Sequence, residues 1–247
     1  MAEPKWLQDM NPEEYLKEDF EATGHSRYTV DGLEKNDPEW LDKAAAKVNA
    51  AEGDDYVKLD SGLLTVNQIN WMLRNTFGEM TYVDDNNQFL WYNRPQDPNY
   101  KMKARRVPAQ VGDTMGAVHP DIRDVIPNAK KVVHALRTKE GGHDAVWMPV
   151  PTGNLTELVL HYYKRVEDEE GNYMGIYEWV QDIYPFVKYF CEVTGQKLVV
   201  DPDAATGATY RRNSDPDAKT GPSTKADAAK EEVKAVESEA SSGASYH

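Results

Sequence analysis

Two short polar turns constrain this chain more than any other feature. Asp84-Asp-Asn-Asn-Gln88 separates residues 80–83 from 89–92, and Glu167-Asp-Glu-Glu-Gly-Asn172 separates 155–166 from 175–182. Asp, Asn and Gly suit turns because their side chains bond the local backbone or tolerate positive φ. The flanks are rich in aromatic and β-branched residues, which favour a pleated, half-buried surface. Each turn therefore predicts a hairpin, and two hairpins predict an antiparallel sheet. Residues 145–150 supply a fifth strand.

The segments between the strands read as helical. Over 63–77, Thr65 and Gln68 have capping-box spacing, and Val66, Ile69, Met72, Leu73 and Phe77 recur at three and four, giving one face to bury. Over 121–138, Ile122, Val125, Ile126, Ala129, Val133 and Leu136 form one stripe. Pro127 would cost ~3 kcal/mol in a helix interior, so the regular helix starts near it or kinks there. Residues 93–120 carry many Pro, Gly, Asn and Asp and predict an irregular stretch with short helical turns. Helices between strand pairs imply an α+β domain, with a five-stranded antiparallel sheet covered by helices on one face.

The flanks differ from this middle. The chain has 42 acidic and 28 basic residues, a net charge of −14. Residues 1–58 carry −8, residues 59–200 carry −3 and residues 201–247 carry −3. The last segment has no Leu, Ile, Met, Phe or Trp. It cannot bury enough apolar area to offset the ~1–2 kcal/mol per residue of backbone entropy lost on ordering. Residues 196–247 are therefore expected to form a disordered low-complexity tail, either a spacer or an arm. Residues 1–58 form an acidic, partly helical extension. Trp6, Leu7, Met10, Tyr15, Leu16 and Phe20 suit a short amphipathic helix. Asp37-Pro38-Glu39 can start another, with Trp40, Leu41, Ala44, Ala45 and Val48 as its stripe. Both would dock on the core or on a partner.

Net charge of −14 disfavours phosphate backbones and anionic lipid, so no nucleic-acid or membrane partner is expected. The one cysteine, Cys191, forms no internal disulfide and no thiolate zinc cluster. No segment reaches the ~20 apolar residues of a span, and the first residues lack a signal-peptide run. These features predict a cytoplasmic protein.

Four stretches together resemble a PAS domain. Tyr82-Val-Asp-Asp-Asn-Asn-Gln-Phe-Leu-Trp-Tyr-Asn93 is similar to the opening PAS hairpin. Val111-Gly112 followed by Val118-His119-Pro120 is similar to the stretch leading into the long PAS helix. Asp168-Glu-Glu-Gly-Asn-Tyr-Met-Gly175 and Val180-Gln-Asp-Ile183 are similar to the last hairpin and its close. The leading Leu59-Asp-Ser-Gly-Leu-Leu-Thr65 resembles the bacterial subgroup found beside hemerythrin-like domains. The resemblance implies a PAS fold over 59–195 and a sensory or interaction role. Pro127 and Tyr184-Pro-Phe-Val-Lys-Tyr-Phe-Cys191 depart from the usual pattern.

Catalytic chemistry finds little material. Between 59 and 200, Ser61 and Cys191 are the lone Ser and Cys, and neither lies in a nucleophile-elbow, Walker-type or HExxH pattern. No enzyme activity is expected. His119 is the leading ligand residue: the resemblance implies a His-Pro position near the pocket, and in some haem-containing relatives a similar histidine binds the iron. Haem is accordingly the leading candidate cofactor, although His-Pro also occurs where it organises a loop. His161, Trp147 and Trp179 fall on predicted strands and could line a pocket for a planar ligand, although such residues more often pack the core or a dimer face. Arg105, in the basic stretch Lys101–Arg106, could hold haem propionates or another anion. His134 lies off its helix's apolar stripe and reads as solvated. The expectation is a sensor that binds a small molecule and signals as a homodimer or through a partner protein. The alternative is a cofactor-free scaffold.

Overall fold

The computed structural model describes residues 4–20, 30, 32–34, 36–95, 97, 99–104, 106–119, 125–150 and 156–199. The predicted tail lies almost wholly outside these residues. No described helix is long and apolar enough to cross a membrane.

Five strands form one antiparallel sheet. They are β3 (Glu79–Asp84), β4 (Phe89–Tyr92), β5 (Ala145–Val150), β6 (Val159–Glu167) and β7 (Tyr173–Asp182), in the order β4-β3-β7-β6-β5. Both turns named above sit where hairpins were expected. In the first, Asp84 Oδ1 accepts the amides of Asn86 and Gln88 at 3.0 and 2.8 Å, which closes the turn. Its Oδ2 is buried with no hydrogen-bond partner, and burial pushes the carboxyl up to about 6. Register is fixed by alternation: Glu79 faces Val180, Thr81 faces Glu178 and Tyr82 faces Tyr177. Ile176, Glu178 and Val180 are consequently buried together, and Tyr177 and Trp179 point the other way.

A smaller hairpin, β1 (Tyr56–Leu59) with β2 (Gly62–Thr65), precedes this sheet. The expected helix over 63–77 therefore begins later, as α4 (Val66–Arg74). Leu63 and Leu64 pair with Lys58 and Val57 and are lost to the helix. The capping box is present: Gln68 N donates to Thr65 Oγ1 at 3.2 Å, and Thr65 N donates to Gln68 Oε1 at 2.8 Å. The buried face is not. No α4 residue is buried, and Trp71, Met72 and the following Phe77 are exposed.

Other helices cover the inner face. These are α3 (Trp40–Val48), the one-turn α5 (Met115–Val118) and α6 (Val125–Thr138). Asp37 caps the approach to α3 by accepting the Glu39 amide at 2.9 Å. Trp40 and Ala44 then join Phe89, Val111 and Val118 in one core cluster. Gly112, at φ +97°, lies directly under the Trp40 indole, where a Cβ would collide with the ring. Pro127 falls in the first turn of α6 and leaves the helix intact, with Val132, Val133, Ala135 and Leu136 buried. Arg165 of β6 donates to the Leu136 and Arg137 carbonyls at 2.9 and 2.7 Å, capping the last turn of α6.

The N-terminal segment is ordered as two single-turn helices, α1 (Lys5–Gln8) and α2 (Pro12–Tyr15), with Leu7, Met10 and Phe20 buried. Both pack along α6. The chain divides into two compact units. One comprises Pro4–Trp147 and His161–Gln181. The other holds described residues 148–150, 156–160 and 182–199. In that second unit, the Leu158 amide donates to Asp182 Oδ1 at 3.0 Å, and the Ile183 amide donates to the Leu158 carbonyl at 2.9 Å. Its helix α7 (Tyr184–Thr194), unpredicted from the sequence, has no buried residue and exposes Phe186, Tyr189, Phe190 and Val193.

Candidate functional site

The inner face of the sheet carries a buried carboxylate. Glu178, at the middle of β7, is 8% exposed. A charge in such a place must be paired or neutralised. Here it is paired twice. Arg106 Nη2 donates to Oε2 at 3.0 Å, and His161 Nδ1 lies 3.0 Å from Oε1. A carboxylate only accepts, so Nδ1 carries the proton. Burial works against the ionised form of Glu178, but the bonds from His161 and Arg106 outweigh it and hold the group down at about 2. The Tyr163 hydroxyl lies 3.1 Å from the same His161 nitrogen. Burial first, and the Glu178 charge second, keep this phenol protonated well above its ordinary range.

The loop bearing Arg106 is fastened to the sheet by a second buried acid. Glu79, 1% exposed, accepts from the Tyr100 hydroxyl at 3.0 Å and from the amides of Lys103 and Ala104 at 2.5 and 2.7 Å. The guanidinium that follows lies over Phe89, 5.4 Å from the ring centroid. Its Nε is buried and bonds nothing.

His119 closes α5 and faces this group. Its Nδ1 lies 2.7 Å from the Met115 carbonyl, which requires the proton on Nδ1 and leaves Nε2 a bare acceptor. Burial holds the imidazole below its ordinary range, Arg106 pushes the same way, and the Met115 bond and Glu178 oppose them. The ring is thus neutral at pH 7 and within electrostatic reach of both Arg106 and Glu178. Phe20 of the N-terminal segment packs against it, ring centroids 5.9 Å apart.

His119 and His161, singled out from the sequence, are therefore brought to one site. Trp147 and Trp179 are not. Both project from the opposite face: Trp147 is 51% exposed and packs at a tilt on Tyr162, ring centroids 4.4 Å apart, and Trp179 Nε1 donates to the Phe77 carbonyl at 3.0 Å. Alternation decides this, since Trp179 adjoins inward Glu178, and Tyr162 adjoins inward His161. Arg105 lies outside the described residues. Its neighbour Arg106, with Glu178 and Tyr163, completes the site. No motif marks these three, although an acid in the middle of a predicted strand was a signal for Glu178. His134, read as solvated, is instead half-buried and lies 2.6 Å from Glu18, because the N-terminal segment covers that side of α6. Among the described residues no group of three or more His, Cys, Asp or Glu could hold a metal ion.

The outer face is aromatic from edge to edge. Trp91 pairs with Tyr82, and Tyr82 with Tyr177. Tyr177 neighbours Tyr162, and Tyr162 packs against Trp147 with the rings tilted. One aromatic from every strand thus falls in a single row.

A family model described as PAS domain matches residues 69–184. No curated protein matches the chain. Among solved structures, a C-terminal domain from Streptococcus mutans is 33% identical, with 56% of this chain and 99% of that one covered and a TM-score of 0.49. The PAS domain of Bordetella pertussis BvgS is 17% identical over 52% of this chain and 95% of its own, TM-score 0.31. A Vibrio cholerae VqmA–ligand–DNA complex is 16% identical, covering 59% of this chain and 66% of that one, TM-score 0.33.

Proposed function

Because the chain belongs to the PAS-domain family, we propose that it is a non-catalytic sensory module that binds a small molecule against the inner face of its sheet. The observation that carries this is the buried, ionised Glu178, held by Arg106 and His161 beside the neutral His119. Packing alone gives little reason for a buried ion pair, since replacing one by apolar residues of similar volume is often neutral or stabilising. The ligand class follows from the unused atoms. Arg106 Nε offers a donor and His119 Nε2 an acceptor, so a compact molecule with an acceptor oxygen and a donor hydrogen fits. Haem is a separate ligand to test, since it would use His119 Nε2 on its iron instead of as a hydrogen-bond acceptor. His119 has the tautomer an axial imidazole needs, its Nδ1 proton held by a backbone carbonyl. Bound haem would supply a gas-binding iron; the protein's part is to hold Nε2 unprotonated and pointed.

A ligand shifts such a module only by binding one conformation better than another. Here that means changing the pairing of Arg106 with Glu178, on the same strand that carries Tyr177 of the aromatic row on its other face. The second reading, a cofactor-free scaffold that dimerises or grips a partner, is favoured by that row.

Native mass spectrometry and absorbance of the protein purified from cells test the ligand reading. The expected result is a small-molecule adduct, lost in Arg106→Gln. A Soret band abolished by His119→Ala would identify haem. An adduct-free protein whose melting temperature no extracted metabolite fraction raises would overturn ligand sensing in favour of the scaffold.

A further inference from the structure

The segment from Pro4 to Phe20 is attached to the domain by an unusual density of specific contacts. Trp6 stacks on His143, ring centroids 4.0 Å apart and planes at 11°. Leu7 is fully buried. Lys131 sits over the Tyr15 ring, and Lys130 donates to the Leu16 carbonyl at 3.1 Å. Glu18 then meets two groups of α6 at once, His134 Nδ1 at 2.6 Å and Arg137 Nη1 at 2.5 Å. The same guanidinium reaches Asn87 Oδ1 at 2.6 Å, and Asn87 Nδ2 donates to the Asp19 carbonyl at 2.6 Å. Last, the Phe20 carbonyl accepts the Gly116 amide of α5 at 3.2 Å, and its ring lies between Lys130 and His119.

Most of these contacts fasten the segment to α6. At the far end Phe20, 6% exposed, packs against the His119 ring, which lies within electrostatic reach of Arg106 and Glu178. We propose that Pro4–Phe20 is a strap whose docking closes access to His119, and whose release opens it. This rests on reading the inner-face cluster as a ligand site. Glu18 is the fastener: it is buried to a tenth of its side-chain exposure and is answered by two side chains one turn apart. Phe20 is the stopper. The strap thus couples occupancy of the site to whatever competes for the acidic N-terminal segment.

Diethylpyrocarbonate tests the strap without any ligand, since it acylates the unprotonated nitrogen of a neutral imidazole. Carbethoxylation of His119 in the full chain would be timed by peptide mass spectrometry, with hydrogen exchange read in parallel. In Glu18→Lys, which faces Arg137 with like charge, residues 5–18 should lose protection while β6 and β7 keep theirs. His119 labelling should then rise about tenfold or more, the effect of about 1.4 kcal/mol of lost docking. Phe20→Ala should raise labelling with the rest of the strap still protected. Strap amides exposed at an unchanged His119 rate would overturn the proposal. So would full protection and wild-type labelling in both variants. Neither result bears on the ligand itself, which the mass spectrum decides.

Discussion

Arg106 Nη2 and Glu178 Oε2 lie 3.0 Å apart, with both side chains largely out of water. Removing one partner strands the other's charge in a medium that solvates it poorly. Arg106→Met or Glu178→Met should each cost about 3–5 kcal/mol, whereas the double variant should recover most of that loss. Urea unfolding at pH 7 reads all four states. Additive costs in the double variant would show that the two charges are not coupled.

The same acid predicts a pH limb. Glu178 is held at about 2, below the ~4.3 of an unfolded glutamate, so its stabilisation is complete above that unfolded value and fades as pH falls toward 2. About 3 kcal/mol should be lost across that window. Glu178→Gln should flatten the limb between pH 4.5 and pH 2.

Asp84 predicts the opposite slope. Burial raises its carboxyl to about 6, so the folded state holds the proton more tightly than the unfolded state does, and stability falls as pH rises from ~3.9 to 6. Asp84→Asn keeps an oxygen for the amides of Asn86 and Gln88 and removes the stranded charge. The variant should be more stable than the parent at pH 8 by up to about 3 kcal/mol, and equal to it near pH 3. A destabilised variant at pH 8 would mean the charge has a partner in solution.

Gly112→Ala should be severe for two reasons that add. The residue sits at φ +97°, and the Trp40 ring occupies the space of the new methyl. A loss of about 2–4 kcal/mol, seen as a lowered melting temperature, is expected. Trp40→Ala opens the space but leaves a cavity, and should cost about 3–5 kcal/mol.

The outer row bears on assembly. Trp147 is 51% exposed, so Trp147→Glu should alter folding stability by no more than about 0.5 kcal/mol. Sedimentation at increasing concentration should nonetheless show self-association weakened about tenfold if that row is the contact. An unchanged association constant would move the interface elsewhere.

Much of the architecture was legible. Turn chemistry placed both hairpins, because Asp and Asn in Asp84–Gln88 act locally, and local rules survive tertiary context. The Thr65 cap was legible for the same reason. The start of α4 was misplaced because periodicity could not show that Leu63 and Leu64 pair across Gly62 with β1. The site was half legible. His119 and His161 were visible as titratable groups, but Trp147 and Trp179 drew attention as aromatics while their face depended on register, which only pairing fixes. Glu178 and Arg106 meet across 72 residues, a distance no window spans. His134 was misjudged because the strap that covers it comes from the other end of the fold.

The strap's contacts are threaded along the chain in a fixed sequence: Trp6, then Tyr15 and Leu16, then Glu18, and Phe20 last. That sequence gives detachment a direction. Anything that grips the chain from its first helix must unzip the fastenings one after another and reaches the aromatic stopper only at the end. A weak grip on α1 would leave His119 covered, and only a pull sustained past Glu18 would uncover it. Contacts threaded in this order make the segment a zipper, indifferent to small tugs and responsive to complete capture.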